Sequence, residues 1–414
     1  MVIIGQRFDP TCLKDPTQET HDQLERVGLS QTIKAGDRVG ITVGSRGIRD
    51  LRKVLQAVVD SVTALGAHPI FIPAMGSHGN ATADGQAEIV AEMVGNGLTS
   101  IPVLSSMEVR RLGETTSGTP VYFSTDALDV NKVIVVNRIK PHTDFNGKIE
   151  SGLLKMLVIG LGKHKGADTC HIAGRILGME RVIREVASII LPRSPVVLGI
   201  GLVENAYDRT AKIIGLTPDQ FVEAEEALLA EAKQLMPRLP FDEIDILLVD
   251  EIGKDISGNG MDTTIIGRYG EISETWPRID RIFVRDLTHV TQGNAIGIGL
   301  ADVTTTRLIK KIDLEATRVN SLTGHSPELG RIPIGFETDR EALATLAKMR
   351  GVDLDLLKIL WIRNTLDLGK CLASTAYLDE IKERVDLELL DHPSPLQFDD
   401  DQNLLSPLDP GGPC

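Results

Sequence analysis

Hydrophobic and polar positions repeat along the first part of the chain with two different periods. Residues 38–43, RVGITV, are a short β-branched run that stops at Gly44, as a buried strand would. Beyond it Leu51, Val54, Leu55, Val58, Val59, Val62 and Leu65 recur at steps of three and four, which predicts a helix with one buried face. HPIFIPA reads as a second strand, GSHGNAT as a turn, and Ile89, Val90, Met93 and Val94 as the buried side of a second helix. Strand, helix, strand, helix predicts an α/β fold with a largely parallel sheet.

Further strands are expected at 132–137, 195–202 and 211–215. Thr217-Pro218-Asp219-Gln220 then supplies a capping hydroxyl, a proline at the first helical position and a glutamine at the third, so a helix should run to about Gln234. MPRLPF, with two prolines in six residues, marks a boundary. A second alternation follows, with strands at IDILLVD and RIFVRDL around the glycine-rich loop EIGKDISGNGMD. The expected organisation is an N-terminal α/β domain over 1–236 and a smaller α/β domain over 242–385, with a cofactor and substrate cleft between them. The acidic, proline-rich residues 386–414 are expected to be disordered.

Composition narrows the function classes. Hydrophobic residues make up 42% of the 414 and charged ones 25%, which is the balance of a folded globular protein. A net charge of −14 without a basic stripe argues against nucleic acid as a partner. Cys12, Cys170, Cys371 and Cys414 form no CxxC pair, so neither a disulfide framework nor a thiolate zinc site is expected, and a reducing cytoplasm is the default setting. The start MVIIGQRFDPTC lacks the pattern of a secretion signal, and the apolar run ASIILPRSPVVLGIGLV is broken by prolines and Arg193, so no membrane role is expected.

Open parallel sheets bind ligands beyond the carboxyl ends of their strands, which directs attention to four loops. Gly44-Ser45-Arg46-Gly47 presents an arginine before a helix, either as a surface side chain or as an anion clamp. Gly76-Ser77-His78-Gly79-Asn80 presents a histidine that either caps the turn or serves as a catalytic base. The third, PHTDFNGKIESGLLKMLVIGLGKHKGADTCH over 141–171, concentrates three of the nine histidines among glycines and lysines. It lacks GxxxxGK[ST] and the spacing of a dinucleotide fingerprint, so its residues alone define an anion site. The fourth, Gly253 to Gly258, offers Lys254, either exposed or facing the cleft. Trp276 and Trp361 read as core or interface residues, and His325 among the others as solvated or structural.

Taken in order, GSR, GSH, a strand-terminal histidine, SGLLK, a later histidine and GKDIS resemble the nickel-dependent lactate racemase family of 2-hydroxy acid racemases and epimerases, over roughly residues 1–375. The resemblance implies a nickel pincer nucleotide, the nickel pyridinium-3,5-bisthiocarboxylic acid mononucleotide, attached covalently at Lys155 and made by separate maturation enzymes. It implies that His171, sixteen residues on, is the one protein ligand of the nickel, a role suited to an imidazole beside sulfur donors. Ser151, Gly152, Lys163 and Arg46 would lie on the cofactor. His78 and His142 would exchange the hydroxyl proton on either side of the substrate while its C2 hydride passes to the cofactor and back through a 2-keto acid, and Arg46 and Lys254 would meet the substrate carboxylate or the cofactor. The chain departs from the family pattern at Thr42 and Val43, where an acidic residue is usual, and in a longer segment carrying Asp144, Asn146, Lys148 and Glu150. Those changes imply a substrate larger or more polar than lactate, such as a hydroxydicarboxylate like malate or a sugar acid like gluconate. Two alternatives stay open: a non-catalytic nickel or cofactor carrier, and a nicotinamide-dependent 2-hydroxy acid dehydrogenase.

Overall fold

A computed structural model describes residues 1–269, 277–324 and 326–408. Trp276, His325 and the end of the tail, with Cys414, lie outside the described residues. The chain divides into two compact units, Asp9–Met236 and Met1–Phe8 with Pro237–Cys414.

The first unit is built on a five-stranded sheet in the order His68–Pro73, Arg38–Val43, Lys132–Arg138, Val196–Glu204, Thr210–Leu216. The first four strands are parallel and the last is antiparallel to its neighbour. The three-and-four spacing gives the helix Leu51–Ala64, whose Leu51, Val54, Leu55, Val58, Val59 and Val62 are buried as expected. From Arg38–Val43 the chain moves to the outer strand His68–Pro73, and from Lys132–Arg138 to the opposite side. The loops after these two central strands therefore diverge, which is where a parallel sheet opens a crevice at its carboxyl edge. Thr42 sits at that divergence, where its buried hydroxyl accepts the Val136 N–H at 2.9 Å.

The second unit is an eight-stranded mixed sheet in the order Ile334–Phe336, Val303–Thr305, Arg278–Leu287, Glu243–Ile252, Ile359–Ile362, Lys370–Ala373, Val2–Gln6, Leu387–Leu389. Its first five strands are parallel and the rest pair antiparallel. The N-terminal residues thus belong to this unit and not to the one that follows them in sequence. Trp361 is buried, and its indole N–H donates to Asp250 at 2.7 Å.

Residues 386–408 are anchored to this unit at a few positions where the sequence suggested disorder. Leu404 and Leu408 are buried in the core of this unit, and the Leu404 N–H and carbonyl bond Asp339 at 2.9 Å and Arg285 at 2.5 Å. The Ser406 hydroxyl donates to Asp250 at 2.5 Å. Widely spaced apolar anchors in an acidic, proline-rich context carry no periodic signal, which is why composition misdescribes this segment. Among the described residues no helix is long and apolar enough to cross a membrane.

Candidate active site

The two loops at the strand divergence carry Arg46 and His142, and the loop after the neighbouring strand His68–Pro73 carries His78. The Ser45 hydroxyl and His78 Nδ1 are 2.5 Å apart, which fixes the orientation of an exposed ring. Arg46 is exposed beside them in sequence.

His142 is held more tightly. Glu150, 1% exposed, accepts the His142 N–H at 2.6 Å and the Gly147 N–H at 3.0 Å. The Lys233 ammonium meets the same carboxylate at 2.5 Å and also bonds Asn146 at 2.9 Å. Glu180 accepts the Lys148 N–H at 3.1 Å. Glu150, Asn146 and the Lys148 N–H are thereby engaged in fixing the loop, and Asp144 donates its N–H to His142 Nδ1 at 3.0 Å. The His142 ring stacks on Phe145 with centroids 4.5 Å apart.

The attachment candidate Lys155 follows directly. Ser151 pairs with Lys140 through two backbone hydrogen bonds, and Asn137 donates to the Gly152 carbonyl at 2.8 Å, so the segment is bound to the end of its strand. Leu153–Lys155 is one helical turn, and Met156–Gly160 continues it with a wider π turn, in which the Leu161 N–H reaches back to Met156 at 2.9 Å. Such turns are frequent at functional sites. At Gly160 a β-carbon would stand 2.7 Å from the Ala74 carbonyl, so only glycine permits this contact with the end of the neighbouring strand. The helix Lys163–Leu177 then carries His171 on its exposed side.

Electrostatics tie these groups together. His142 is held well below its ordinary pKa, first by burial and then by the positive charges of Lys155, Lys140, His171 and Arg46. Lys155 is lowered to about 8, chiefly by burial and further by Arg46 and Lys140, against the raising influence of Asp144 and Glu150. Lys155, His171 and Arg46 therefore all act on His142, and Arg46 acts on Lys155 as well, in a protein whose overall charge is strongly negative. Lys140 joins them, and the sequence did not single it out.

Two expected cofactor residues face inward instead. Gly152 lies against the Glu225 carboxylate, which a β-carbon would approach to 2.4 Å. Lys163 is 0% exposed, and its ammonium donates to the Pro73 carbonyl at 2.8 Å and to Gln86 at 3.1 Å. An amine enclosed in this way supports the loop below His78 and is not available to a phosphate. Lys254 belongs to the other unit, where its ammonium bonds the Gly258 carbonyl at 3.2 Å and Asn320 at 3.1 Å. Among the described residues no three His, Cys, Asp or Glu side chains group to hold a metal.

Glu225 has a measurable consequence. One of its oxygens accepts the Leu154 N–H at 3.0 Å and the other, Oε1, is buried without a partner, so burial outweighs the backbone donors and raises its pKa to about 7. Between about 4.5 and 7 the folded chain keeps this proton while the unfolded chain loses it, so stability falls as pH rises through that window. The full effect is about 3 kcal/mol. Chemical unfolding of Glu225→Gln at a series of pH values should show this part of the slope removed; a slope equal to that of the parent would contradict the assignment.

An α/β unit with a cation cluster and two histidines at its carboxyl sheet edge is the class that fold and site define. Residues 18–180 match the model of the lactate racemase N-terminal domain. The lactate racemase apoprotein from Thermoanaerobacterium thermosaccharolyticum has a similar fold, with a TM-score of 0.51 at 10% identity, covering 88% of this chain and 98% of that one. A Thermotoga maritima protein solved in a structural genomics programme also matches, with a TM-score of 0.51 at 13% identity over 66% of this chain and 71% of that one. No curated protein matches the sequence.

Proposed function

We propose that the protein inverts C2 of a 2-hydroxy acid with a nickel pincer nucleotide attached at Lys155. The carrying observation is the convergence of Lys155, His171 and Arg46 on His142 at the sheet edge. The residues present fit the group. With a pKa near 8, about a tenth of Lys155 is the neutral amine at pH 7, the form that forms an amide-type bond. The cations Arg46 and Lys140 suit an anionic nucleotide, and His171 offers an imidazole on an exposed helix face. His171 is the residue that would hold a nickel carried by such a nucleotide. When bound, that group supplies an acceptor for the substrate's C2 hydride.

The chain's own residues handle the proton and the charge. His78, oriented by Ser45, takes or returns the hydroxyl proton on one side of the substrate, and His142 does so on the other. His142 is poised by its surroundings: forming an amide at Lys155 removes one of the positive charges that hold its pKa down, and a bound carboxylate adds the opposite charge. Both changes raise its proton affinity. Arg46 binds the substrate carboxylate or the nucleotide. Asp144, exposed beside His142 and acting on Lys155, is the residue of the longer segment that favours a substrate with additional hydroxyls, such as a sugar acid.

The test is conversion by protein matured in the presence of the cofactor-making enzymes. Incubation with single stereoisomers of lactate, malate and gluconate, followed by chiral separation, should give the inverted C2 isomer of one of them. Matured, metal-loaded protein that inverts none of these and no other 2-hydroxy acid would favour the carrier reading instead.

A further inference from the structure

We infer that Gln86 and Lys163 are positioning residues for His78, forming a buried polar brace that sets the backbone of the loop carrying the histidine. The inference rests on the proposed role of His78 for its catalytic part only. Gln86 is 0% exposed on the helix Ala83–Val94. Its amide nitrogen donates to the Gly76 carbonyl at 2.9 Å and to the His78 carbonyl at 3.2 Å, and its oxygen accepts from Lys163 at 3.1 Å. Lys163 also donates to the Pro73 carbonyl at 2.8 Å, and the Gly76 N–H reaches the Gly160 carbonyl at 3.2 Å. The brace thus grips the loop at its start, at its first glycine and at the histidine, and anchors all three to the segment that follows Lys155.

A glutamate at 86 would lack both donors, and an asparagine would be one methylene too short. The loop it holds is costly: Asn80 at φ 56° and Ala81 at φ 55° adopt the left-handed region, as does Lys163 itself at φ 53°. Each such residue costs about 1–2 kcal/mol, and strained backbone persists where its surroundings over-determine it. Gly79 and Gly85 meet back to back, with no room for a β-carbon on either, which brings the start of the Gln86 helix onto the loop. A buried ammonium with neutral acceptors stabilises a fold less well than a packed apolar pair of similar volume. Holding His78 in place accounts for its presence; stability does not.

Two variants separate positioning from folding. Lys163→Met with Gln86→Leu replaces both partners by apolar groups of similar size, and Gln86→Glu keeps an acceptor for Lys163 while losing both donors to the loop. Both should fold and still accept the adduct at Lys155. In unloaded protein, amide hydrogen exchange across residues 74–82 should speed up about tenfold or more, corresponding to about 1.4 kcal/mol of lost local protection. In matured enzyme, kcat should fall about 100-fold with KM nearly unchanged, the signature of a misplaced group and not of lost binding. Should the double variant not fold, Gln86→Glu decides alone. Unchanged exchange across the loop in a folded variant, or a rise in KM with kcat retained, would overturn the inference. Exchange that speeds up in a protein whose parent inverts no substrate would leave the brace standing and remove the racemase reading.

Discussion

Replacing His78 or His142 by alanine should leave the Lys155 adduct in place and reduce inversion by about 100- to 10,000-fold, the usual contribution of a placed acid or base. The two variants should not be equivalent. His78 is exposed and is held through Ser45, whereas His142 is partly buried, stacked on Phe145 and fixed through its own backbone by Glu150. Loss of His78 therefore removes a proton-transfer group and little else. Loss of His142 also leaves the Asp144 N–H without its acceptor and loosens the stack over Phe145, so a modest fall in stability accompanies it. Chiral analysis of product together with intact mass checks both parts, and full activity in either variant would defeat the two-histidine mechanism.

The second large effect is expected at His171. Its place on an exposed helix face makes His171→Ala structurally mild. If it is the protein's ligand to nickel, the variant should keep the organic adduct on Lys155 and lose bound nickel, with inversion lost alongside. Elemental analysis and mass spectrometry of the same sample read the two outcomes separately. A variant that retains stoichiometric nickel would remove His171 from the coordination shell.

Much of the first unit could be read from the chain. The run RVGITV and the three-and-four spacing after it gave a strand and a helix close to their observed limits, and the strand-end loops were recognisable from glycines around Arg46 and His78 and from the place of His142 after a strand. What supports those residues was not legible, because each support comes from far along the chain. Glu150 holds His142 only because Lys233, on the helix Phe221–Leu235, closes over its carboxylate. Gln86 falls among the polar positions of its helix yet is fully buried, and Lys163, set among the cations of GLGKHKG, looks like one more solvent-facing charge. A local pattern records which side chains are polar, whereas their direction is decided by packing between elements. The strand Val2–Gln6 escaped for the same reason, since its partners are Lys370–Ala373 and Leu387–Leu389.

The departures at Thr42 and in the segment 143–150 also acquire a physical meaning. Thr42 closes the gap where two parallel strands separate, and Glu150 anchors the His142 loop from beneath. Both are supports of the site, while Asp144 and Lys140 are the exposed charges that alter its field.

The central claim is that Lys155 is the covalent anchor of a nickel-bearing nucleotide. It is tested most directly by the mass of the Lys155 peptide from protein produced together with the cofactor-making enzymes. The account predicts added mass of a pyridinium mononucleotide on that peptide alone, with nickel in the intact protein and neither in Lys155→Ala. An unmodified Lys155 peptide from a preparation in which a known lactate racemase is fully loaded would contradict it.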